Sequence, residues 1–198
     1  MDWFLYEKEA KKQGYCSVCG IDEAGRGPLA GPVFAAAVIL PDGCVIDGLN
    51  DSKKLSPKKR DELFEIIRER AVAFSVDAAT EKEIDEINIL QATFLAMKRA
   101  QEGLKIKADY ALIDGNRMPP LSIPAMSIVK GDSRSSSIAA ASILAKVSRD
   151  RYMTQLDKLY PQYKFAQHKG YPTELHYEMI AKYGISPVHR LSFLKKVI

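Results

Sequence analysis

Four acids stand where apolar, strand-like runs stop, and that repetition limits the fold more than any other feature of the chain. The run 15–21 leads into Asp22 and Glu23, the run 110–113 into Asp114, and the run 125–129 into Lys130-Gly131-Asp132. Each acid precedes or adjoins a glycine-containing or polar turn. In an open α/β sheet, sites collect beyond the strand ends, so acids from separate strands can converge there. Converging like charges need a cation, and an all-oxygen set without a paired His or Cys suits Mg²⁺ or Mn²⁺ rather than zinc. Two such ions about 4 Å apart would clamp the attacking and leaving oxygens of a phosphodiester displacement. Singly, Asp114 and Asp132 are also ordinary turn chemistry, and Asp132 could cap the helix that follows. Neighbouring strand residues point to opposite faces. For Asp22 and Glu23 to share a site the strand must therefore end or bend between them, which Ala24-Gly25 permits.

The segment after the first pair is Gly25-Arg26-Gly27-Pro28-Leu29-Ala30-Gly31-Pro32. Turn formation explains its glycines but not its arginine. Without a Cβ on Gly25 or Gly27, backbone N–H groups beside Arg26 can approach a phosphate or a sugar hydroxyl closely. Further along, apolar patterning predicts strands at 33–40 and 72–79 and helices at 57–70, 89–103, 134–159 and 173–183. Ser56-Pro57 reads as a cap and first helical residue, Thr80 to Glu83 as a capping box opening a short helix. Residues 1–12 read as a short helix outside the core. Strands followed by alternating helices and strands indicate an α/β layer with a mixed sheet, whose strand order periodicity cannot give.

At 198 residues one domain is expected, 1–198, with roughly 160–198 as a small helical C-terminal extension. No apolar run approaches the ~20 residues of a membrane span, and the mixed, charged start is no signal peptide. An odd number of cysteines, 3, argues against a disulfide framework. Together these suggest the cytoplasm. Cys16 and Cys19 fall within the first strand run and read as small buried hydrophobes rather than a zinc or redox pair. The net charge of +4 is compatible with nucleic acid without requiring it. Asp150 is set aside because 18 helical residues past Asp132 span about 27 Å.

Asp22-Glu23-Ala24-Gly25-Arg26-Gly27-Pro28-Leu29-Ala30-Gly31-Pro32-Val33 closely resembles the signature of ribonuclease HII, the bacterial type 2 ribonuclease H, and family-like blocks recur to the chain end. The resemblance implies a ribonuclease H-like mixed five-stranded sheet flanked by helices. It implies a metal-dependent endoribonuclease acting on RNA–DNA hybrids and on ribonucleotide-containing duplex DNA. Cutting would fall 5′ of the ribonucleotide and leave 3′-hydroxyl and 5′-phosphate ends. The family's catalytic and metal-binding acids match Asp22, Glu23, Asp114 and Asp132. The mechanism expected from them puts Asp22 and Asp132 on one Mg²⁺ or Mn²⁺ and Glu23 and Asp114 nearer a second. Gly25, Arg26 and Gly27 would grip the 2′-hydroxyl, which separates RNA from DNA. Tyr171 would stack on the deoxyribose 3′ of the ribonucleotide, although an aromatic in such a loop is otherwise a packing anchor. Lys53, Lys146, Arg149, His168 and Lys169 are candidate phosphate contacts. The related ribonuclease HIII typically carries an extra N-terminal domain, for which the 21 residues before Asp22 are expected to leave no room. A monomer is expected; a replication or repair protein is the kind of partner such an enzyme would work with, and no residue identifies one.

Overall fold

The computed structural model describes residues 2–194. The basic end of the chain lies outside them. A short helix, α1 (Leu5–Lys12), precedes the hairpin of β1 (Val18–Ala24) and β2 (Val33–Ile39). Then come α2 (Pro57–Arg70), β3 (Ala73–Ala79), α3 (Glu81–Glu102), β4 (Tyr110–Asp114), β5 (Ala125–Ile128) and the long α4 (Ser136–Leu159). The described residues end with three shorter helices, α5 (Phe165–His168), α6 (Glu174–Tyr183) and α7 (Leu191–Leu194). The sheet order is β3-β2-β1-β4-β5. β2 runs antiparallel to both neighbours, while β1, β4 and β5 are parallel, so their carboxyl ends share one edge.

Local chemistry sets the helix starts. The Ser56 hydroxyl accepts the Lys59 N–H with Pro57 in the first turn, and Thr80 and Glu83 close a reciprocal capping box. The two helices expected over 81–103 meet at Asn88, whose φ of 67° and ψ of 163° interrupt α3. Its Oδ1 accepts the N–H groups of Leu90 and Gln91 and so caps the second half.

One sheet face carries Ile21, Ile113, Ala35 and Ala37 under α3. The other carries Ala36 and Val38 under α2 and α4. Small residues let α4 come close: a Cβ on Gly20 would lie 2.1 Å from the Ser137 carbonyl carbon. No described helix is long and apolar enough to cross a membrane.

Three expectations need correction. β1 begins and ends three residues later than 15–21, because ladder partners on β2 keep Asp22, Glu23 and Ala24 extended. Cys16 therefore lies outside the strand and is exposed, and only Cys19 is buried. α4 starts at Ser136, capped by Ser135 and not by Asp132. It also starts beside Gly20, low on the sheet, and climbs alongside β1. Ser142 and Lys146 thus come abreast of the acids, while Asp150, one turn further on, lines neither of the cavities that hold them. That carboxylate is bonded to Lys146 Nζ at 2.8 Å.

Candidate functional site

Register brings the acids together. Ile21 pairs with Ile113 in the parallel ladder, so Asp22 and Asp114 stand next along neighbouring strands, on one face, about 4.8 Å apart in backbone spacing. Asp114 in turn pairs with Ile128, just before the turn carrying Asp132. Its Oδ1 accepts the Gly131 N–H at 2.6 Å and the Asp132 N–H at 3.4 Å, fixing that turn against β4. Glu23 points to the opposite face from Asp22, and no bend separates them. Both still reach the sheet edge, because the ladder with β4 stops at Ile21 and leaves that flank of β1 open.

The chain opens there into two adjoining cavities. One, of about 220 Å³, is walled by Asp22, Glu23, the 25–27 loop, Lys53, Lys146 and Tyr171. The other, of about 400 Å³, shares Glu23 and Arg26 and adds Asp114, Asn116 and Arg117 against α3. A larger cavity, about 580 Å³, lies under α1 at the far end of the sheet and holds none of the four acids.

Electrostatics mark the acid edge as a place where charge is held at a cost. Burial, then the carboxylates of Glu23 and Asp114, push the Asp22 pKa well above 3.8. The Ser142 hydroxyl and the Glu23 N–H pull against that rise, and Ser142 is itself bonded to Ser52 at 2.9 Å. Burial also raises Glu23, against the opposing pull of Arg26, whose guanidinium donates to Glu23 at 3.3 Å. Asp132 is raised by burial and by Asp114 and Asp51. Desolvation works to lower the Lys53 ammonium pKa, but Asp22, Asp132, Asp51 and Asp114 outweigh it and the net shift is upward. No three His, Cys, Asp or Glu side chains among the described residues sit close enough to hold an ion as they stand. The donor chemistry nonetheless fits a hard divalent cation: all ligands are carboxylate oxygens, partly dehydrated and mutually repelling.

Among the expected substrate contacts, Tyr171 and Lys146 line the acid cavity, with Lys146 Nζ 5.7 Å from the Tyr171 ring centre. Arg149 does not face solvent. It is fully buried and donates to the carbonyls of Pro32, Ala30 and Lys169 at 3.1, 3.1 and 2.9 Å. His168 is also turned inward: Nε2 meets the Tyr163 carbonyl at 2.8 Å and Nδ1 accepts the Gly170 N–H. Lys169 spends its ammonium on the Ala166 carbonyl and Thr154. In each case an unmet backbone group recruits the polar side chain, a demand that patterning does not display.

The described chain also contains participants that sequence reasoning missed. Ser52 and Ser142 stand behind Asp22, and Asp51 lies near Asp132. Arg190 is fully buried under the glycine loop, donating to the carbonyls of Gly25 (2.6 Å), Arg26 (2.9 Å) and Gly31 (2.8 Å). Only its place in a tail block, Ser186 to Phe193, hinted at any role.

Residues 19–196 match the sequence profile of Ribonuclease HII. The chain belongs to the ribonuclease HII family. A ribonuclease HII from Caldicellulosiruptor saccharolyticus is 54% identical over 197 residues, covering 100% of this chain and 96% of the relative. Among solved structures, the ribonuclease H2 of Pyrococcus horikoshii superposes with a TM-score of 0.76 at 28% identity, covering 92% of this chain and 97% of that one. The RNase HII of Archaeoglobus fulgidus, solved as a complex with PCNA, gives 0.70 at 27% identity, covering 89% and 94%. The match to the ribonuclease HII profile takes in all four acids, the glycine loop, Tyr171 and Arg190.

Proposed function

We propose that this chain is a divalent-metal-dependent endoribonuclease that hydrolyses the RNA strand of RNA–DNA hybrids and cuts 5′ of single ribonucleotides in duplex DNA. It leaves 3′-hydroxyl and 5′-phosphate ends, and it works as a cytoplasmic monomer. Family membership supports the ribonuclease H class of activity. The observation that carries the site is the parallel register that sets Asp22 beside Asp114, with Glu23 and Asp132 at the same edge. A binding module with a vestigial site would have lost members of this set, and all four are present.

Asp22, Glu23, Asp114 and Asp132 would hold one or two Mg²⁺ or Mn²⁺ ions. Bound there, such ions supply water activation and charge neutralisation at the scissile phosphate. The protein's own residues do the rest. The 25–27 loop offers main-chain donors to the ribose, Tyr171 offers a ring face to the neighbouring sugar, and Lys53 and Lys146 face the phosphates. Main-chain and phosphate contacts are indifferent to base identity, so little sequence preference follows.

The test is a pair of end-labelled duplexes, one with a single ribonucleotide and one a continuous hybrid, incubated with Mg²⁺, Mn²⁺ or EDTA. Cleavage 5′ of the ribonucleotide with either metal and none in EDTA is the expected result. Cleavage in EDTA, or on the 3′ side, would overturn it.

A further inference from the structure

Arg190 sits in the tail, yet its guanidinium is spent wholly on the loop beside the acids. We propose that Arg190 is a positioning residue that aims the Arg26 and Gly27 N–H groups at the ribose, and so sets discrimination between a ribonucleotide and a deoxyribonucleotide. The inference rests on the reading that this loop grips the sugar hydroxyl, and deepens it.

The geometry follows from the peptide bond. Every described peptide is trans, so the carbonyl of one residue and the N–H of the next point in opposite directions. Arg190 draws in the carbonyls of Gly25 and Arg26. The N–H groups of Arg26 and Gly27 must then point away from the guanidinium, on the side where the loop walls the acid cavity. Neither N–H has an acceptor among the described residues. The third carbonyl held, that of Gly31, precedes Pro32, which has no N–H to aim.

A fork is required for this grip. Three carbonyls at 2.6 to 2.9 Å use Nε and both terminal nitrogens of Arg190, a span an ammonium cannot cover. Nor does the guanidinium have a carboxylate partner within ion-pairing range among the described residues. Arg149 also packs against this loop: a Cβ on Gly25, at φ 97°, would lie 2.0 Å from its Nε. Two buried arginines therefore pack against the loop, and of the two only Arg190 hydrogen-bonds the peptides whose donors face the cavity.

The experiment compares binding of two matched duplexes, one with a single ribonucleotide and one all-DNA, by fluorescence anisotropy in Ca²⁺. Wild type, Arg190→Lys and Arg190→Ala are used, the last with and without added guanidinium chloride at millimolar levels. Circular dichroism checks the fold of each. The expected wild-type preference for the ribonucleotide duplex falls to within about twofold in both variants while all-DNA affinity holds, and guanidinium restores part of it in Arg190→Ala. A folded variant that keeps the wild-type ratio overturns the role of Arg190 alone. A wild type without any preference overturns the loop reading itself. Should both variants unfold, amide NMR of the wild type decides. Arg26 and Gly27 N–H resonances shifting with the ribonucleotide duplex and not with DNA uphold the proposal, and equal shifts overturn it.

Discussion

Asp22 answers two opposed demands. Its carboxylate is wanted as an anion for a cation, yet burial and the nearby charges of Glu23 and Asp114 make that anion costly in the free protein. The folded-state pKa lies above the unfolded value near 3.8. As pH rises past that value the unfolded chain gives up this proton first, and the folded state loses stability relative to it. Asp22→Asn should therefore abolish turnover while keeping hybrid binding, and in EDTA at neutral pH should raise Tm by a few degrees, about 2–4 °C per kcal/mol. The gain should fade below about pH 4, where the aspartate is protonated in both states. Cleavage assays, anisotropy and calorimetry check the three parts; full activity would remove Asp22 from the site. Tyr171 makes a contrasting case, for the residue is 37% exposed and lines the acid cavity. Tyr171→Ala should remain folded by circular dichroism and slow cutting at a lone ribonucleotide by roughly tenfold or more, about 1.4 kcal/mol per factor of ten. Equal slowing on a continuous hybrid would argue against a role at the junction.

Among the elements, α3 bears the most telling local feature. Asn88 adopts a backbone conformation that residues other than glycine rarely hold, and its side chain accepts two N–H groups of the helix it opens. Asn88→Ala removes the cap and keeps the strain, so a loss of about 1–3 kcal/mol is expected in urea unfolding. Asn88→Gly also lacks the cap but relieves the strain and should cost less; the reverse order would mean that backbone strain at this position is small. This break was legible as two separate helical patterns, as were the Ser56 and Thr80 caps, because capping depends on residues three apart in sequence. Strand order was not legible, since pairing joins residues nearly a hundred positions apart. The acids illustrate the division. Their types and strand-end positions could be read, but the meeting of Asp22 and Glu23 depends on where the β4 ladder stops, not on a bend in β1. Arg149, His168 and Arg190 were misread or overlooked for a related reason: a polar residue that satisfies buried carbonyls looks, in one dimension, like one that faces solvent or phosphate.

For the molecule as a whole, the elements of the tail are tied to one another by a cluster containing all 3 histidines of the chain. His168 stacks on His176 with ring centres 4.2 Å apart, and His176 Nε2 meets His189 Nε2 at 3.1 Å. The hydrogen-bond network assigns the tautomers. Ser186 N–H donates to His189 Nδ1, so His189 donates through Nε2 to His176, which donates through Nδ1 to the Tyr171 carbonyl. A proton added to either ring of the pair would set two donors against each other. Burial lowers His176 and His189 from 6.5 to about 4, and lowers His168 as well, with Asp157 opposing and Lys169 assisting in the last case. Between about pH 6.5 and pH 4 the unfolded chain therefore binds protons that the folded chain refuses. Stability from this cluster is complete above that window and drains as pH falls, at up to about 1.4 kcal/mol per unit for each histidine. The buried acids act oppositely, so the cluster is isolated by comparison. Urea midpoints of wild type and His176→Gln should converge as pH drops from 7.5 to 5, because the variant has one fewer suppressed proton site. Parallel midpoints across that range would mean that His176 titrates as it does in the unfolded chain, and that the tail is anchored by its apolar contacts and by Arg190 instead.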